Sequence, residues 1–212
     1  METPTTTEPH LLTALTGLSQ IGAALNRFSL EERASAPAQE AEVTLRLVVE
    51  QALQMLPDAL AAIIYTYDAG RGRFEPTSRV AAGRAPDKGP RIDGLGIHAV
   101  RQCRRVLSYE NPDLTLHPAL AEAGARAALC LPLVEAGQPV GAFYVYLRVQ
   151  RPFSDVELLL AELLGQQAAT AIYQARWLES VQVDLERKED ELRRMRRAGM
   201  SVSYTHLRAH ET

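Results

Sequence analysis

Cys103, Cys130 and His117 carry the most reactive side chains of this sequence, and none stands in a pattern that catalysis requires. Cys103, in RQCRR, has arginines close by that would favour its thiolate. It reads either as a redox or attachment thiol or as an ordinary surface residue. Cys130, inside LCLPL, reads as a small buried hydrophobe. Two cysteines without a CxxC pair supply neither a disulfide framework nor a zinc site. There is no Walker loop, no GxGxxG after a strand, no HExxH and no GxSxG. The carboxylate runs Glu31-Glu32 and Glu189-Asp190-Glu191 lie on polar helix surfaces and read as solvated charge. His117 precedes Pro118 in a loop, where it serves either the loop or a ligand. The expectation is therefore no catalytic residue and no metal ligand.

The elements that would position these residues follow from periodicity. Residues 10–27 and 43–56 repeat apolar positions at helical spacing, with SAPAQ (35–39) as a break between them. Residues 1–9 read as disordered. AAIIYTY (61–67) is a strand by its β-branched and aromatic content, DAGRG a turn, and 74–81 a second strand. Residues 82–94 form a Gly/Pro-rich loop. A short helix over 96–104, a strand over 106–109, a loop over 110–116 and a helical turn over 118–123 follow. Residues 125–134 and 140–147 are two strands joined by Glu135-Ala136-Gly137-Gln138, an antiparallel hairpin. Arg151-Pro152-Phe153 stops the second strand. Ser154-Asp155-Val156-Glu157 is a capping box that opens a long amphipathic helix. The order predicts an α+β domain, an antiparallel sheet with helices packed on one face.

RAALCLPL, then GQPVGAFYVY, then RPFSDVELLLAELLGQQAATAI resembles the second half of a GAF domain, the small sensory module of bacterial signalling proteins. The resemblance implies a GAF domain over residues 40–173. It also implies a ligand pocket between the sheet and the loops at 82–94 and 110–118. Tyr65, Arg79, Tyr109, His117, Tyr144 and Tyr146 are its candidate lining; alternation puts Tyr144 and Tyr146 on one face of their strand. The cofactor stays open. In bilin-binding relatives a Cys-His pair stands near this place, but Leu116 precedes His117, so a covalent bilin is not expected. The N-K-x-F-D-E signature of cyclic-nucleotide-binding members is also absent.

Composition adds boundaries. The chain has 212 residues, 46% hydrophobic and 23% charged, which suits one soluble domain with helical flanks. A net charge of -3 gives no electrostatic reason to expect nucleic acid or an anionic membrane as partner. The start has no basic and apolar signal segment, and no apolar run reaches membrane-span length. A cytoplasmic location follows as the expectation.

Beyond the domain, residues 174–200 read as a signalling helix. Leu178, Leu185 and Leu192 repeat every seven residues, with Val181, Lys188 and Met195 at the other seam position, so a homodimeric coiled coil is expected. A solvated single helix is the alternative. VSYTHLRAHET (202–212) matches, codon by codon, a translated transposase adapter from sequencing libraries. The natural chain is expected to continue past about Ser201 with other residues, so His206 and His210 are not offered as functional. The expected function is a non-catalytic sensory module, with a possible small-molecule ligand, that relays binding or dimer conformation to a missing output domain. A sensor histidine kinase or a multi-GAF protein is the expected parent. The alternatives are a small redox enzyme using Cys103 and a ligand-free dimerisation module.

Overall fold

The computed structural model describes residues 37–208, and the side chains of these except 76, 77 and 197–208. The expectations for residues 1–34 lie outside the described residues. The chain divides between Ala175 and Arg176 into a sheet-bearing unit and a helical unit.

Helix α1 (Pro37–Met55) opens the described domain. It starts earlier than the expected 43 and absorbs most of the SAPAQ segment. Pro37 explains this: a proline is tolerated in the first helical turn, where the missing N–H has no partner anyway. Strand β1 (Ala59–Asp68) and strand β2 (Arg73–Gly83) follow as an antiparallel pair. Helix α2 (Leu95–Gln102) leads into a strand β3 of two residues only (Val106–Leu107), against the four expected. Helix α3 (Pro118–Glu122) is a single turn. Strands β4 (Ala127–Glu135) and β5 (Gln138–Leu147) form the hairpin. Its two-residue turn has Ala136 at φ 50° and Gly137 at φ 74°. Two positive φ values in succession are the type I′ geometry that matches strand twist.

The sheet order is β2-β1-β5-β4-β3, every pairing antiparallel. Helix α4 (Asp155–Arg208) begins at the capping box. The Ser154 hydroxyl accepts from the Glu157 amide at 3.3 Å, and the Glu157 carboxylate accepts from the Ser154 amide at 2.7 Å. Arg151 grips the same carboxylate with two N–H donors at 2.9 and 2.6 Å and reaches Asp58 at 3.3 Å. Burial alone would raise the Glu157 carboxyl, but Arg151 and the Ser154 amide outweigh it and hold the carboxyl below its usual range.

The expectation of helices on one face describes the long helices only. α1 and the first five turns of α4 cover Ala62, Ile64, Leu129, Leu131, Phe143 and Val145. The opposite face of the same strands carries Ile63, Tyr65, Cys130, Tyr144 and Tyr146 under α2 and α3. Both faces are therefore dry, which is why β1 and β5 read as unbroken apolar runs rather than alternating ones.

In the second unit the helix runs on to Arg208, through most of the segment expected to be adapter-derived. Leu185, Leu192 and Met195 are 57%, 55% and 59% exposed, while Leu178 and Val181 are half-buried.

Candidate functional site

A cavity of about 30 Å³ lies on the face of the sheet opposite α1 and α4. Its floor is two strands. Ile63 and Tyr65 come from β1, and Tyr144 and Tyr146 from β5, where Ile63 pairs with Tyr144 and Ala61 with Tyr146. The alternation of a strand puts both members of each set on one side. The two rings of β5 are parallel, 5.9 Å apart, and Tyr65 meets Tyr144 edge-on at 5.8 Å.

The roof is the loop over residues 84–94 with the start of α2, and the wall is the loop before α3. Lys88, Arg91, Leu95, Thr115, His117 and Leu120 complete the lining, which holds no carboxylate. The space suffices for on the order of one or two water molecules. α2 can sit this low because residue 96 is glycine. A Cβ there would lie 1.7 Å from the Tyr144 hydroxyl.

Three side chains brace the roof. The Tyr65 hydroxyl donates to the Lys88 carbonyl at 2.5 Å. Arg79 donates to the carbonyls of Ala85 and Pro86 at 3.0 and 2.7 Å. Arg91 pairs with Asp93 through two N–H groups and donates to the Thr115 hydroxyl at 2.9 Å, tying one loop to the other. That pairing draws the Asp93 carboxyl below its usual range.

Burial raises Tyr65, Tyr144 and Tyr146, so they remain phenols. Burial, and then the nearby Arg91 and Lys88 charges, lower His117. Its Nδ1 accepts from the Ala119 amide at 3.2 Å and caps α3.

Of the six residues named from the sequence, the structure brings four together here: Tyr65, His117, Tyr144 and Tyr146. Two are elsewhere. Arg79 sits behind the roof and braces it, as above. Tyr109 lies in a separate groove with Arg126 and Arg151, where its hydroxyl accepts from the Phe153 amide at 3.3 Å. It lies past the end of β3, in the turn closed by the Glu110 amide on the Leu107 carbonyl. Lys88, Arg91 and Thr115 were missed; they sit in Gly/Pro-rich or polar loops without periodicity, and the only signal was the positive charge of Lys88 and Arg91.

No thiol lines this cavity. Cys103 closes α2 with a left-handed backbone (φ 48°) and is exposed, its thiol 3.5 Å from the Val100 carbonyl. It lines a surface groove with Arg104, Arg105 and Glu162. Cys130 is fully buried on β4, and burial pushes its thiol far above the usual range. Among the described residues no cluster of three potential metal ligands occurs, and no helix is long and apolar enough to cross a membrane.

An antiparallel five-stranded sheet with long helices on one face and a looped-over, aromatic cavity on the other defines an α+β domain. The GAF domain family matches residues 38–172, and the chain belongs to that family. No curated protein matches the sequence. Solved structures with the same fold include the GAF domain of a phosphoenolpyruvate-protein phosphotransferase from Coxiella burnetii. It is 20% identical, with a TM-score of 0.63 over 80% of this chain and 98% of that one. Free methionine-R-sulfoxide reductase from Neisseria meningitidis, solved with its substrate, is 14% identical, with a TM-score of 0.60 over 84% and 98%. A segment of a methyl-accepting chemotaxis protein is 20% identical, with a TM-score of 0.54 over 76% and 98%. At these identities the likeness is one of fold.

Proposed function

We propose that this chain is a non-catalytic sensory module of a signal-transduction protein. It takes a small molecule into the tyrosine-floored cavity and relays its presence to an output domain. The observation that carries this reading is the composition of the cavity: aromatic rings, hydrogen-bond donors and cations, with no thiol, no carboxylate and no metal-ligating cluster. Such a lining can recognise a ligand, and the basic nitrogen of its one imidazole, His117 Nδ1, is already taken by the Ala119 amide. A chemotaxis protein among the structures of like fold supports a signalling context. Long charged helices after such modules often lead to histidine kinases, which makes a cytoplasmic two-component sensor the parent we favour.

The same reading makes the module a homodimer through the seam of Leu178, Val181, Leu185, Leu192 and Met195. The seam's outer members are more than half exposed, as side chains awaiting a partner helix would be.

The competing reading is a reductase, because an enzyme of that kind shares the fold. The test is to incubate the full chain with free methionine-R-sulfoxide and dithiothreitol and to follow methionine. The expected outcome is no turnover above the protein-free rate, and a thermal-shift screen that finds a stabilising small molecule. Turnover that disappears in Cys103→Ser would overturn the non-catalytic reading.

A further inference from the structure

Donors in the cavity outnumber anything the protein offers them. The Tyr146 side chain is 4% exposed and lines the cavity, yet no described residue hydrogen-bonds its hydroxyl; the Tyr144 ring stacks on it instead. His117 presents a second free donor. Its Nδ1 accepts from the Ala119 amide, so the neutral ring carries its proton on Nε2, which has no partner among the described residues. The Lys88 ammonium is a third, with no carboxylate paired to it. Helix α2 starts at the same wall. Gly94 and Leu95 line the cavity, and no side chain caps the helix, so the positive end of its dipole lies at this corner. Arg91 adds its charge at the same wall, with three of its five N–H groups taken by Asp93 and Thr115.

We infer that the cavity takes a small organic carboxylate, held by Tyr146, His117 and Lys88 beside the start of α2. This rests on the reading of the cavity as the module's ligand site. A carboxylate has only acceptor positions, so it matches a lining that has donors, cations and no acid. The Tyr146 hydroxyl opens onto the cavity with no protein acceptor, so such a ligand meets it without displacing a protein partner. The carbon part has its own place, because the remaining walls are Ile63, Leu120 and the Tyr144 ring. A bare inorganic oxyanion would turn hydrated oxygens against that apolar side. The closed cavity is small, so the ligand is of few carbon atoms and its arrival lifts the roof at Lys88, where one hydroxyl-to-carbonyl contact from Tyr65 holds it.

The test is calorimetric titration of the full chain in a carboxylate-free buffer at constant ionic strength. The probes are sodium formate, acetate, propionate, butyrate, pyruvate and lactate, with propionamide and sodium phosphate as comparators. Saturable binding of at least one carboxylate is expected, and none of propionamide. Tyr146→Phe and Lys88→Gln should each weaken that binding about tenfold or more, as loss of a charge-assisted contact does. Tyr109→Phe, outside the cavity, should leave it unchanged. Tyr146→Phe removes a hydroxyl without a partner, so its fold is expected to survive. Failure of every carboxylate, equal binding of propionamide, binding of phosphate alone, or indifference to Tyr146→Phe overturns the carboxylate assignment. The sensory reading is separated by a nuclear magnetic resonance screen of neutral metabolites. A neutral compound that shifts the Tyr144 and Tyr146 ring signals keeps that reading and ends the carboxylate one, while silence from both screens ends both.

Discussion

Gly96→Ala is the substitution that most directly tests how the cavity is closed. Helix α2 crosses over the Tyr144 ring at this residue, and a Cβ there would stand 1.7 Å from the Tyr144 hydroxyl, 2.7 Å from its Cζ and 3.2 Å from Phe74 Cζ. Real Cβ atoms essentially never come closer than 3.0 Å to such a neighbour. The ring cannot slide freely, since Tyr146 stacks on it and Tyr65 meets it edge-on. Helix propensity alone would make alanine better than glycine by up to about 1 kcal/mol. Overpacking of a filled core costs about 1–3 kcal/mol. The clash should win, for a net loss of about 1–2 kcal/mol by urea unfolding. The decisive comparison is the same substitution in a Tyr144→Phe background, where the offending hydroxyl is gone. The ring Cζ, 2.7 Å from the new Cβ, remains there, so Gly96→Ala should cost less than in the parent but not nothing, which gives a coupling of about 1 kcal/mol between the two sites. If Gly96→Ala stabilises both backgrounds alike, α2 does not press on Tyr144 and the closed cavity described above is wrong.

Three further outcomes follow from the same geometry. Arg151→Met leaves the Glu157 carboxylate, 7% exposed, with the Ser154 amide alone, and should cost about 2 kcal/mol after discounting for the partly exposed arginine. Because Glu157 titrates below its ordinary value when folded, its contribution is full above about pH 4.5 and fades as pH falls through the folded value; urea midpoints across that range should show a flatter slope in the variant. Cys103→Gly relieves a left-handed backbone at an exposed helix end and should raise stability by about 1 kcal/mol, read from the urea midpoint; a loss instead would assign structural weight to the thiol contact with Val100. Leu185→Asp with Leu192→Asp should turn a dimer into a monomer by analytical ultracentrifugation while shifting domain stability by less than about 0.5 kcal/mol, and a dimer that persists rejects the seam.

Much of the fold was legible where local chemistry alone decides it. The hairpin turn was readable from Gly137 between two apolar runs, and the start of α4 from the reciprocal cap of Ser154 and Glu157. Both involve residues three or fewer apart, so no tertiary contact could override them. Tertiary contacts decided the rest. β3 ends after Leu107 because Ser108 turns its amide and hydroxyl to Ala128 at the ladder's end, and nothing in VLSY announces that. Tyr109 was misplaced for this reason. Arg79 was misplaced for another: β2 lies at the edge of the sheet, so its side chain reaches the loop carbonyls of Ala85 and Pro86 rather than the cavity. The short α2 and α3 cover the sheet face that carries Ile63, Tyr65 and Tyr144, where the expectation had placed helices on one face alone.

Within residues 37–175 the cavity and helix α4 lie on opposite faces of the sheet, so a molecule in the cavity cannot touch that helix. What they share is β5. Its Tyr144 and Tyr146 form the cavity floor, while Phe143 and Val145, one residue out of phase, pack in the core that Ala161, Leu164 and Ala168 of α4 complete. β5 is bonded on both sides, to β1 and to β4, and cannot bend alone. A ligand that moves Tyr144 must therefore either be absorbed by rotation of its ring or be passed to the residues on the other face. Three neighbours oppose ring rotation: the parallel Tyr146, the edge-on Tyr65 and the backbone of α2 above Gly96. The close approach at Gly96 thus has two consequences. It keeps the cavity small, and it denies Tyr144 the slack that would absorb a displacement before it reached the helix side of the sheet.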